Sequence, residues 1–132
     1  CKRNYSSKKE IIAFYKEHKE SFEIVNDYVS NLPPDEDNVI RLNTEKIQAE
    51  KSNMTDKQYN ACNAIFSGTI IDGYFRTLEP SINHMSDGKY VLKNNPKDCT
   101  ISICKIPKDK QDGSCESIDG DWCLYYYYPH NE

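Results

Sequence analysis

The chain has 132 residues, a formal net charge of −4, 37% hydrophobic and 29% charged residues, and six cysteines. That length fits one domain with a modest core. The mild acidity, and 14 lysines against three arginines, argue against a nucleic-acid surface, which needs a basic face and favours the arginine fork.

The first residue is Cys1, and Cys62, Cys99, Cys104, Cys115 and Cys123 follow. Six cysteines in so short a chain suggest an oxidising, extracellular compartment, where bridges worth ~2–4 kcal/mol each can form. A leading cysteine before a polar, basic stretch (Lys2, Arg3, Asn4, Ser6, Ser7, Lys8, Lys9) reads as a lipidation site with a short tether over an anionic surface. The membrane is then a partner through that anchor. The other reading of Cys1 is an ordinary thiol or half of a disulfide. Residues 1–6 are taken as tether and 7–132 as one domain.

Ser7 with Glu10 forms a capping-box pattern, and a helix is expected over 7–32. Ile11, Phe14, Tyr15, His18, Phe22, Val25, Tyr28, Val29 and Leu32 recur at three- and four-residue steps, one apolar stripe on a continuous helix. Pro33-Pro34 stops it. Val39 to Leu42 is a short strand candidate, and 43–54 has no clear pattern. Thr55 with Gln58 is a second capping box, opening a short helix through Phe66 with Gly68 as its terminal glycine. From there the period becomes two. Ile70-Ile71, Tyr74-Phe75, Tyr90–Leu92, Cys99–Ile106 and Trp122–Tyr128 read as strands between Gly- and Asn-containing turns. The fold class is therefore α+β: a long amphipathic helix on an antiparallel sheet of about four strands, plus a second short helix.

Strand parity assigns faces. Cys99, Ile101, Ile103, Trp122, Leu124 and Tyr126 are expected to face the helix. Cys104, Cys123, Tyr125 and Tyr127 are expected on the opposite face. Cys99 and Cys104 cannot bridge each other if the segment is extended, since five residues span ~16 Å. Cys62 with Cys99, and Cys104 with Cys123 or Cys115, are the candidate pairs.

No motif carries catalysis. His18 lies on the helix stripe, His84 in a loop and His130 in the tail, and none stands in a nucleophile–base signature; a thiol protease built on Cys62 and His84 has no local pattern behind it. Asp35-Glu36-Asp37 and Asp119-Gly120-Asp121 lack the calcium-loop spacing and read as solvated turns. No metal or cofactor is expected. The aromatic run Tyr125–Tyr128 is the best binding lead, with Tyr125 and Tyr127 as the outward pair able to contact protein or carbohydrate.

Cys1, the 7–32 stripe, Thr55-Asp56-Lys57-Gln58 and Asp121-Trp122-Cys123-Leu124-Tyr125-Tyr126-Tyr127 together resemble uncharacterised small domains of Gram-positive cell-surface lipoproteins. The resemblance implies an extracellular α+β module with no assigned activity; the cysteines at 99, 104, 115 and 123 fall outside its pattern. The expected role is a non-catalytic, lipid-anchored module that binds a cell-envelope or protein partner. The alternative is a secreted inhibitor or effector with a cystatin-like helix on a sheet.

Overall fold

A computed structural model describes residues 8–78, 87–95 and 99–127. The fold is α+β, as the change of period implies. Among the described residues four α-helices, α1 (Lys8–Glu17), α2 (Lys19–Ser30), α3 (Thr44–Ala49) and α4 (Asp56–Phe66), accompany six strands. The strands are β1 (Val39–Leu42), β2 (Ile71–Thr77), β3 (Lys89–Leu92), β4 (Thr100–Lys105), β5 (Cys115–Asp119) and β6 (Trp122–Tyr127). They form one antiparallel sheet in the order β1-β2-β3-β4-β6-β5.

Two expectations need correction. The sheet has six strands rather than about four, because Val39–Leu42 joins it and Cys115–Asp119 adds an edge. Cys115–Asp119 has no fully buried residue, so it carries little of the alternation that marks a half-buried strand. The long helix is broken at His18, whose φ and ψ of −110° and 22° leave the helical region. The break costs little hydrogen bonding: His18 N–H still donates to the Phe14 carbonyl at 3.0 Å, and Phe22 N–H donates to the His18 carbonyl at 2.9 Å. Both halves keep the apolar stripe buried, with Ile11 and Tyr15 on α1 and Phe22, Val25, Tyr28 and Val29 on α2.

The second capping box forms as expected. Thr55 accepts from the Gln58 amide, and the Gln58 side chain accepts from the Thr55 N–H. At the other end of α4, Gly68 does not take a left-handed conformation. Ser67 N–H and hydroxyl both turn back onto the Asn63 carbonyl, which closes the last turn without it. The first capping box rests on Ser7, outside the described residues. The ambiguous stretch 43–54 contains α3, capped by the Asn43 side chain accepting from the Lys46 amide at 2.9 Å.

The helices cover one face of the sheet. Ile101, Ile103, Trp122, Leu124, Tyr126 and Cys99 all join the helix-side core, as parity predicts. Ile71 and Tyr74 both point there despite odd spacing, because the β2–β3 register shifts between Ile71 and Gly73. Phe22 sits at the centre, with ring centroids 5.2 Å from Tyr90, 5.4 Å from Tyr15 and 5.6 Å from Trp122. Two of these rings satisfy their polar ends across the interface. Trp122 Nε1 donates to Glu23 Oε1 at 2.6 Å, and the Tyr90 hydroxyl donates to Asn26 Oδ1 at 3.1 Å. Lys105 then closes on the free Glu23 oxygen at 3.1 Å.

Candidate functional site

The outer face of the sheet divides into a closed half and an open half. The closed half is built on β4, β5 and β6. Cys104 and Cys123 stand directly opposite each other in the β4–β6 register, on the outer face as parity predicts. With Ile106 and Tyr125 they form a second small core, against which Cys115 and Tyr127 pack. Ser102 is buried beside them, its hydroxyl 3.4 Å from Cys104 Sγ. Tyr125 is only 3% exposed and Tyr127 is half-buried, so the expected outward pair is not a free surface. Parity is right and exposure is wrong: the outer face of β6 is itself packed, with the Lys89 ammonium 5.1 Å from the Tyr125 ring centroid. Tyr128 lies outside the described residues.

The structure holds Cys62, Cys99, Cys104, Cys115 and Cys123 unbridged, so none of the expected pairs is joined in it. Their grouping nevertheless follows the faces: Cys62 and Cys99 share the helix-side core, and the other three share the outer cluster. Burial governs their chemistry. It pushes the Cys62 thiol up to about 11 and Cys104 to about 12, raises Cys123 further, and raises the half-buried Cys115. Thiols so far above neutrality hold almost no thiolate and are poor nucleophiles. Cys1, His84 and His130 fall outside the described residues. His18 stacks on Phe14 with centroids 4.6 Å apart, at the edge of the core.

The acidic turns are committed to local work. Asp35 Oδ1 accepts from the Asp37 and Val39 amides, and Oδ2 pairs with Arg41. Burial alone would raise the Asp35 carboxyl, but those amides, with Arg41 and Lys46, hold it below its ordinary value. Asp119 pairs with Lys19 at 2.6 Å, and Asp121 accepts from the Lys108 amide at 3.0 Å.

The open half lies on β1, β2 and β3. Here a concavity of about 460 Å³ is bounded by Arg41, Asn43, Glu45, Asp72, Phe75 and Val91. Phe75 is 37% exposed, high for a ring on a sheet face, and the Arg41 guanidinium sits 5.9 Å from its centroid. The floor is shaped by Gly73, where a Cβ would lie 3.0 Å from the Leu42 carbonyl oxygen, tight enough that the β1 backbone would have to give by a few tenths of an ångström. Asn43, Glu45 and Asp72 are exposed along the rim. None of these residues stands out by type. The one signal in the sequence is a glycine inside a strand, at Asp72-Gly73, which marks a bulge or a close backbone approach.

Comparisons with protein-family models, with curated proteins and with solved structures gave no match to this chain.

Proposed function

We propose that the chain is a non-catalytic recognition module, lipid-anchored outside the cell through Cys1, and that the β1–β3 concavity is its contact surface for a cell-envelope glycan. The half-exposed Phe75 ring within a polar rim carries this reading. An aromatic face takes the C–H side of a sugar ring, while Asn43, Glu45, Asp72 and Arg41 offer acceptors and donors to its hydroxyls. Protonated, buried thiols fit a binding role better than a nucleophilic one. The address rests on Cys1 and the basic tether that follows it.

The test is co-sedimentation with purified Gram-positive peptidoglycan. Wild-type protein should pellet with the wall and Phe75→Ser should stay in solution with an unchanged melting temperature. Equal pelleting of both proteins removes the concavity as the site. Mass spectrometry of the native protein should find a diacylglyceryl group on Cys1; an unmodified Cys1 removes the anchor.

A further inference from the structure

A second recess lies on the helix side of the sheet, beyond the end of the apolar core. On β2 the alternation places Tyr74 and then Arg76 toward the helices, with Arg76 beside Ile40 in the β1 register. A space of about 170 Å³ opens there, bordered by Asn26 and Ser30 of α2, Tyr74 and Arg76 of β2, Asp87 and Gly88, and Lys105 of β4. Its walls are mostly polar, and its donors differ in how they are engaged. Lys105 is held by Glu23 at 3.1 Å. Ser30 gives its proton to the Asp27 carbonyl at 2.7 Å. Asn26 Oδ1 takes the Tyr90 hydroxyl, which leaves its NH₂ end able to donate. Arg76 Nε is buried and, among the described residues, has no acceptor.

A guanidinium N–H removed from water and left without an acceptor is destabilising, so the position calls for an acceptor from outside the fold. The planar fork takes a carboxylate through two parallel bonds. Gly88 leaves room for the Tyr74 ring to reach the recess. A Cβ there would run into the Tyr74 hydroxyl and lie 2.8 Å from two Tyr74 ring carbons. Burial raises the Tyr74 hydroxyl to about 12, so it is a proton donor at neutral pH.

We propose that this recess is a carboxylate-binding site, with Arg76 gripping the carboxylate through Nε–H and an Nη–H and the Tyr74 hydroxyl supplying a further donor. The border charges decide between anions. Arg76 and Lys105 are offset by Asp87 on the recess wall and by Glu23 on Lys105, so the site is formally neutral when empty. A monoanion is tolerated there, whereas a phosphate dianion meets the Asp87 carboxylate on the wall with twice the charge. The carboxylate has two sources: a small free acid, or the terminus of a peptide chain.

The experiment follows the arginine Nε–H resonances of the wild-type protein by ¹⁵N NMR. Sodium acetate is titrated against sodium chloride at matched ionic strength, with Arg76→Gln to assign the signal. The Arg76 signal should move downfield and saturate, while that of Arg41, already paired with Asp35, stays put. Arg76→Lys keeps the charge but loses the fork, and should weaken acetate about tenfold or more. Gly88→Ala should weaken it as well. N-acetyl-alanyl-alanine and its C-terminal amide separate the sources. An acid peptide that binds more tightly than acetate, with a silent amide, assigns a chain terminus; acetate binding without peptide binding assigns a free acid. Absence of a saturable shift with either overturns the proposal, as does unchanged acetate affinity in Arg76→Lys, or a larger shift with inorganic phosphate than with acetate.

Discussion

Tyr125 shows how much one residue's surroundings decide. A tyrosine on the outer face of a strand is ordinarily a surface group, but here the ring closes a small core with Cys104, Cys123 and Ile106. Tyr125→Ala should therefore cost about 3 kcal/mol in urea unfolding, the range for truncating a buried aromatic. Tyr127→Ala, half-exposed, should cost markedly less. Cys62 makes a prediction in pH. Burial raises its thiol from 9.0 to about 11, so the native state holds that proton more tightly than the unfolded chain does. The resulting stability is complete below about 9 and is lost as pH rises through about 11. Melting temperature should fall across that window, and fall less in Cys62→Ala; Cys104, shifted the same way, accounts for part of what remains.

At the level of elements, local chemistry was legible wherever a short-range pattern decides the outcome. The Thr55–Gln58 box opens α4 as written in the sequence, and Thr55→Ala should cost about 1 kcal/mol by thermal melting. Alternation in β4 and β6 placed the named side chains on their correct faces, because parity is a property of the strand itself. What was illegible depends on distant partners. The break at His18 leaves the stripe intact, so periodicity is blind to it. Burial of the outer face of β6 depends on Ile106 and Cys115 arriving from other parts of the chain. The β1–β3 concavity depends on Gly73 meeting the Leu42 carbonyl across two strands. The carboxylate recess is harder still to read, since Asn26, Arg76, Gly88 and Lys105 come from four separate segments.

Across the whole molecule, helices and sheet are joined by apolar packing and by several polar links, two of which meet at Glu23. Phe22→Asp places an unpaired charge among Tyr15, Tyr90 and Trp122 and should abolish folding, seen as loss of cooperative melting. Glu23→Ala is subtler. It strips the acceptor from Trp122 Nε1 and the partner from Lys105, and should cost about 1–3 kcal/mol in urea unfolding while the fold persists. The chain has a single tryptophan among ten tyrosines, and that tryptophan stands where α1, α2 and the sheet converge. Its fluorescence is thus an optical gauge of the helix–sheet seam. Excited tyrosines within 6 Å (Tyr15 and Tyr90) hand their energy to the indole only while the seam is closed. Emission should be blue-shifted and tyrosine-sensitised in the native protein; on unfolding the blue shift should be lost and the sensitisation should fall in the same step, to the level that the chain neighbours Tyr125–Tyr128 sustain.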